Sequence, residues 1–131
     1  MVNNMSKEQD LGRTNAQQMN IRAARTIADT VKSTLGPMGM DKMLVDGHGN
    51  VIVTNDGATI LREVDVSHPG GKMIAEVAKT QENLCYDGTT STVVLAGALL
   101  GNTESLFARG LHPNVICRGY HEASLMATTY L

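Results

Sequence analysis

The feature that most constrains the fold of this chain is an uncharged run from Gly88 to Thr103. The run is shorter than the roughly 20 apolar residues that a membrane-spanning helix needs, and it is rich in Thr, Gly and Ser. It therefore predicts a helix that is buried inside a protein and surrounded by other elements. We expect no membrane segment and no membrane partner.

The composition agrees with a helical core. Aromatic residues make up only 3% of the chain, whereas hydrophobic residues make up 42% and include eight Met. A core built from Ala, Val, Ile, Leu and Met suits packed helices and argues against a β-sandwich. The net charge is −2, and Lys and Arg are scattered singly along the chain. Because a basic face and stacking aromatic side chains are both lacking in the sequence, we expect no nucleic-acid partner.

The first helix is predicted from a capping box. Thr14 is followed three residues later by Gln17, which is the spacing that closes a helix start. The helix should end near Thr34, since Gly36-Pro37 cannot continue it. Residues 1–13 ahead of it are predicted to be a flexible tail.

The later elements are predicted from turn residues and β-branched runs. Residues 42–46 and 51–54 flank a Gly-rich tetrapeptide and predict a small hairpin. Pro69 and Pro113 are typical first residues of two further helices. The fold class is therefore mostly α with a small β-hairpin. The last helix is still running at Leu131, so we expect the chain to be part of a longer protein.

Three glycine-containing turns join these elements. They are Leu35-Gly36-Pro37-Met38-Gly39, Asn55-Asp56-Gly57-Ala58-Thr59 and Asp87-Gly88-Thr89-Thr90-Ser91. The third lies at a helix start, where unpaired N–H groups and the helix dipole favour an anion. Gly88 leaves room for a phosphate, and three hydroxyl groups follow it. Asp87 would repel a phosphate but could hold a Mg²⁺ ion that bridges to it.

Simpler interpretations stay open on the residues alone. Asp87 can be an ordinary N-cap with Thr residues in the first helical turn. Asp56 can belong to a routine turn, or it can orient an attacking water near a phosphate. The turn at Gly36 can present backbone to a nucleotide or only stop a helix. The Walker A pattern of P-loop proteins is missing from the sequence.

Histidine and cysteine residues indicate no catalytic role. None of the four His residues has metal-ligand spacing, and His68 and His112 precede Pro as capping or turn residues do. Cys85 and Cys117 are far apart and form no CxxC motif. We therefore expect a reduced, cytoplasmic protein without a zinc site.

Several motifs in this order resemble the group II chaperonins, the family of the thermosome and the eukaryotic cytosolic chaperonin TRiC. The matching stretches are residues 20–25, 35–46, 54–61, 68–69, 76–81, 87–91 and 93–97. The resemblance covers about Gly12 to Leu131. It implies the N-terminal half of a chaperonin equatorial domain, the mostly helical ATP-binding and ring-forming part, over residues 14–131. The intermediate and apical domains of the family would then be absent.

The resemblance also implies a site. ATP or ADP and Mg²⁺ would be the ligands, with Asp56 as the catalytic residue beside the γ-phosphate and Asp87 as the metal ligand. The residues implied to bind the nucleotide are Leu35, Gly36, Pro37, Gly57, Gly88, Thr89, Thr90 and Ser91. Two departures from the family pattern stand out. Tyr86 occupies a usual Gly position, where it would narrow the phosphate approach or fail to adopt a backbone angle that Gly accepts. Gly70-Gly71 replaces two Ala and would weaken a helix start.

The function implied is that of an ATP-dependent protein-folding chaperone subunit. Its partners would be other chaperonin subunits in a ring, and unfolded clients would bind only through the missing apical domain. The family is an ATPase, but we expect no turnover from this chain alone. An alternative is a non-hydrolysing interaction module that associates with intact chaperonin subunits. A small independent phosphotransferase would need a second acid or base near the phosphates, and the sequence suggests none.

Overall fold

The computed structural model describes residues 2–64 and 66–131, and in that part of the chain it shows five helices and one antiparallel hairpin. In chain order the elements are α1 (Val2–Lys32), β1 (Lys42–Val45), β2 (Val51–Thr54), α2 (Gly57–Glu63), α3 (Pro69–Cys85), α4 (Thr89–Ala108) and α5 (Pro113–Tyr130). In the hairpin Lys42 pairs with Thr54 and Val45 with Val51. The predicted fold class is confirmed.

The centre of the fold is an antiparallel pair formed by α1 and α4. Ala28 of α1 lies against Gly97 of α4, and Arg22 near the middle of α1 forms an ion pair of 2.7 Å with Glu104 near the end of α4. Residue numbers therefore rise along one helix as they fall along the other. This register places the C-terminal end of α1 level with the start of α4.

The core lies where α1, α2, α3 and α4 meet. Its buried members are all aliphatic: Ala24, Ala28, Val31, Ile60, Leu61, Ile74, Ala78 and Val93. Val31, Ile60 and Val93 are the largest side chains that are almost wholly removed from water. The run that begins at Gly88 thus supplies a central helix, as its lack of charge predicted. None of the helices in the described residues has the length and apolar character required to cross a bilayer.

The helices that begin at proline are capped by the preceding histidine. The Nδ1 atom of His68 accepts a hydrogen bond from the Gly70 N–H at 3.2 Å, and that of His112 accepts one from the Asn114 N–H at 3.2 Å. Both residues are N-caps in extended backbone conformation, which is what an N-cap requires. The predicted helix starts at Pro69 and Pro113 are confirmed.

Glycine at the start of α3 allows close packing on α1. Gly70 is buried, and a Cβ atom at that position would overlap the backbone carbonyl of Asn20. A Cβ atom on Gly71 would lie 2.5 Å from a methyl carbon of Val66. The two glycines therefore do more than weaken the helix start, because Gly70 lets α3 approach the backbone of α1 and Gly71 leaves room for the side chains of Val66 and Ile27.

The predicted start of the first helix was wrong. The structure begins α1 at Val2 and continues it through Thr14 without a break. Residues 2–13 contain no proline and include the good helix formers Lys, Glu, Gln and Leu, which allow the helix to run on through Gly12. Met1, the first residue of the predicted flexible tail, lies outside the described residues, and the flexibility of residues 1–13 stays a prediction.

Candidate functional site

The start of α4 differs from the starts of α2, α3 and α5. Its N-cap, Gly88, has left-handed backbone (φ 73°, ψ 12°), and no side chain of the described residues caps its first turn. In contrast, α2, α3 and α5 are capped by Asp56, His68 and His112. The first N–H groups of α4 thus keep the positive end of the helix dipole free for a ligand.

Asp87 lies just ahead of this helix but does not cap it. Its Oδ1 atom accepts a hydrogen bond from the N–H of the adjacent Gly88 at 2.6 Å, and not from the first turn of α4. The simpler interpretation of Asp87 as an N-cap was therefore wrong, because Gly88 occupies the capping position. The side chain of Asp87 is exposed, and an ionised carboxylate has further lone pairs for a cation.

The second glycine turn packs directly against the third. Gly57 is buried, and a Cβ atom on it would overlap Oγ1 of Thr90 and lie 3.3 Å from the Thr90 Cα. Any larger residue at this position would require Thr90 to shift. The fold consequently brings the Asp56-Gly57 turn to the side of the α4 start, as a shared site requires.

Asp56 is the N-cap of α2. Its Oδ2 atom accepts hydrogen bonds from the Thr59 N–H at 2.9 Å and the Thr59 hydroxyl at 2.7 Å. The hydroxyl bond is the main reason that the pKa of Asp56 lies below its ordinary value of 3.8, and partial burial opposes it. Asp56 is therefore ionised at neutral pH, and its carboxylate is engaged in holding the turn that carries Gly57.

Replacing Asp56 by Ala should destabilise the fold by about 1 kcal/mol at pH 7, the usual contribution of an N-cap. Since the folded-state pKa is lowered, this stability is present above the unfolded-state pKa and is lost as pH falls through the folded-state value. The difference in Tm between wild type and Asp56→Ala should thus shrink as the pH is lowered from about 5 through the folded-state pKa of Asp56. A difference that is constant over that range would contradict the assignment of the carboxylate as the cap.

The first glycine turn lies at the same end of the helix pair. Gly36 has a positive φ of 86°, and its carbonyl accepts a hydrogen bond from the Gly39 N–H at 2.9 Å. Leu35 and Pro37 on either side of it are exposed. The antiparallel register of α1 and α4 places this turn level with the start of α4. The first turn is placed near the site by that register alone, whereas the second and third turns are in direct contact through Gly57 and Thr90.

Tyr86 adopts the backbone conformation that glycine usually supplies. It is the C-cap of α3 with φ 56° and ψ 12°, and its N–H donates to the carbonyl of Glu82 at 2.9 Å. Its side chain is 87% exposed. The interpretation that a Tyr would fail to adopt this backbone angle was wrong, because Tyr86 lies in the left-handed region. A residue with a Cβ atom adopts that conformation only at an energetic cost.

Replacing Tyr86 by Gly should therefore stabilise the chain by roughly 0.5–1 kcal/mol. The substitution relieves the strain of the left-handed backbone, and the greater freedom of glycine in the unfolded state offsets part of that gain. The expected rise in Tm is about 2–4 °C for a chain of this size. Tyr86→Ala is the matched control, since Ala keeps the strain and should not raise the Tm. An equal rise with Ala would show that the exposed ring, and not the backbone, is responsible.

A magnesium site would depend on few protein ligands. In the described residues no three His, Cys, Asp or Glu side chains come together as a metal cluster. Mg²⁺ commonly keeps several waters and binds through one or two carboxylates together with substrate phosphates. A single carboxylate at Asp87 beside an uncapped helix start fits a Mg²⁺–phosphate ligand and does not fit a structural metal.

The sequence motifs predicted no role for Gln81. Its Nε2 atom, near the end of α3, donates a hydrogen bond of 2.9 Å to the backbone carbonyl of Asp87. A Gln six residues ahead of an Asp has no set relation to it until the α3–α4 connection is known. The sequence therefore contained no signal for this contact.

Comparison with known proteins identifies the class of this chain. Residues 27–131 match the TCP-1/cpn60 chaperonin family, and the chain belongs to that family. It is 62% identical to thermosome subunit alpha of Archaeoglobus fulgidus over 116 residues, a region that makes up 88% of this chain and 21% of that protein. It is 63% identical over 108 residues to the thermosome subunit of Methanopyrus kandleri, covering 82% and 20%. The predicted resemblance to group II chaperonins is confirmed, and the chain spans about a fifth of the length of these relatives.

Proposed function

We propose that this chain is the nucleotide-binding segment of an ATP-dependent protein-folding chaperonin subunit, in the equatorial domain. The observation that carries the proposal is the first turn of α4, which Gly88 leaves uncapped and which Gly57 approaches through Thr90. An uncapped helix start beside hydroxyl side chains is a favourable place for phosphate oxygens. Membership of the chaperonin family supports the same ligand.

Each turn has a part in the proposed site. The N–H and hydroxyl groups of residues 89–91 would donate to phosphate oxygens, and the Asp87 carboxylate would hold Mg²⁺. The bound ion would neutralise charge on the phosphates. Residues 35–37 would contact the rest of the nucleotide from the end of α1. Asp56, which is ionised and held by Thr59, would lie beside the terminal phosphate.

We expect the 131-residue chain on its own to bind nucleotide without turnover. Positioning and activation of water supply nearly all of the catalysis in phosphoryl transfer. Asp56 is the acid that we place beside the terminal phosphate, and Thr59 already engages its carboxylate. Mg²⁺-dependent release of phosphate by the purified chain would contradict this expectation.

The test is calorimetric titration of the purified chain with MgATP and MgADP. We expect saturable binding that requires Mg²⁺ and that weakens at least about tenfold in Asp87→Ala, since even groups that only support a metal ligand contribute that much. Glu122→Ala on the exposed surface of α5 is the control for a lost negative charge. A chain that is folded by circular dichroism yet binds neither nucleotide would overturn the proposal, as would unchanged affinity in Asp87→Ala.

A second candidate function is association with intact chaperonin subunits. An open groove of about 530 Å³ lies over α1 and α4, between α3 and α5, and its walls include Met73, Val77, Leu99 and Ile116. Apolar grooves of this kind bind protein surfaces. Co-assembly with a full-length thermosome subunit that survives Asp87→Ala would favour this function over nucleotide binding.

A reducing cytoplasmic location is part of both proposals, and Cys85 and Cys117 are free thiols.

A further inference from the structure

The peptide unit between Asp87 and Gly88 is held on both edges. Its carbonyl oxygen accepts a hydrogen bond from Nε2 of Gln81 at 2.9 Å, and its N–H donates to Oδ1 of Asp87 at 2.6 Å. In a trans peptide the C=O and N–H groups point in opposite directions. The two bonds therefore grip opposite sides of one peptide plane, which lies directly before the first turn of α4.

The backbone preference of Gly88 alone does not determine the orientation of this peptide plane. Gly88 can adopt negative φ about as readily as the observed value of 73°. Rotation of the peptide plane would exchange the positions of its C=O and N–H groups. The Asp87 carboxylate would then face a carbonyl oxygen in place of a donor, and its short charge-assisted bond would be lost. A group outside the turn that holds the Asp87 carbonyl would add to this resistance against rotation.

Gln81 is that group. It lies in α3, is partly buried, and its Nε2 atom is 3.5 Å from the point where a Cβ atom on Gly88 would stand. Because α3 is packed against α1 and α4, the Gln81 amide is held by a packed helix and not by a loop. Removing its donor would release one edge of the peptide unit without disturbing the core.

We propose that Gln81 is a positioning residue for the Asp87-Gly88 turn. By holding the Asp87 carbonyl it keeps Gly88 in the left-handed conformation and keeps the Asp87 carboxylate oriented beside the start of α4. Its consequence for Mg²⁺–nucleotide binding rests on the proposed function. The effect of Gln81 on the conformation of the turn does not depend on the proposed function. The two effects are measured by separate experiments.

The first experiment uses the nucleotide-free 131-residue chain. Gln81→Met preserves the length and helix propensity of the side chain but has no donor, and Asn83→Met is the control on the same helix. We expect the Gly88 amide to exchange about threefold to tenfold faster in Gln81→Met, the factor that corresponds to one ordinary hydrogen bond. Its rate in Asn83→Met should equal that of wild type. Equal Gly88 exchange in wild type and Gln81→Met would overturn the proposal.

The second experiment titrates the same proteins with ATP, with Mg²⁺ and in excess chelator. Groups that orient a metal ligand typically account for about 10–100-fold in metal affinity. We expect Gln81→Met to weaken MgATP binding by about that factor and to leave binding in chelator at the wild-type level. Altered Gly88 exchange with unchanged MgATP affinity would overturn the positioning role. A wild-type chain that binds no MgATP would refute the proposed function, while Gly88 exchange still decides whether Gln81 holds the turn.

Discussion

Replacing Ile60 by Ala is expected to lower the free energy of unfolding by about 2–4 kcal/mol. Ile60 is the more deeply buried of the two large side chains that α2 contributes to the core, and it is only 1% exposed among side chains of α1, α3 and α4. Truncation removes buried methyl groups and leaves a cavity that rigid helices close only in part. Since natural domains are stable by only about 5–15 kcal/mol, this is a large fraction of the total.

Urea unfolding followed by far-UV circular dichroism measures this loss. The transition midpoint should fall while the m-value stays the same, which marks a change in stability without a change in the surface exposed. Leu125→Ala is the matched control, because Leu125 is 55% exposed on α5 and its truncation should change stability by less than about 0.5 kcal/mol. Equal losses for both variants would show that Ile60 does not lie in a packed core.

Replacing Gly97 by Val is expected to destabilise the fold by about 1–3 kcal/mol or more. A Cβ atom on Gly97 would stand 2.5 Å from the Cβ atom of Ala28, and both residues are buried at the centre of the α1–α4 pair. Valine would force the two helices apart along the interface that also places the first glycine turn level with α4. The loss should appear as a lower Tm.

Gly119→Val is the control for this substitution. A Cβ atom on Gly119 meets nothing within 4 Å, so Val there should not lower the Tm by crowding. A compensating exchange provides a sharper test. Gly97→Ala should be destabilising alone, and adding Ala28→Gly should recover part of the stability, because neighbouring residues in contact are not additive. Failure of the second substitution to recover any stability would argue against direct contact between the helices.

The candidate site was predictable only in part. Asp87, Gly88 and the hydroxyl run that follows carry a recognisable anion-binding pattern, and the residues alone left a plain N-cap as the alternative. The structure removes that alternative by placing Gly88 at the capping position. It also shows Asp56 as the cap of α2, a role that the turn sequence alone did not indicate.

The amino-acid sequence by itself determined the features that depend on neighbouring residues. The hairpin and the helix starts at Pro69 and Pro113 follow from φ restriction and β-branching. The same kind of reasoning failed at Thr14. A capping box there is only permissive, and residues 2–13 have enough helix propensity to continue the helix past it.

Tertiary structure alone decided which distant residues meet. The approach of Gly57 to Thr90, the contact of Gly70 with Asn20 and the bond from Gln81 to Asp87 all depend on how packed helices are placed relative to one another. No local pattern encodes those distances, because each arises from the joint packing of side chains along several helices. The residue types in each turn are therefore set by the sequence, whereas the packing of the Asp56-Gly57 turn against Thr90 is decided by the fold.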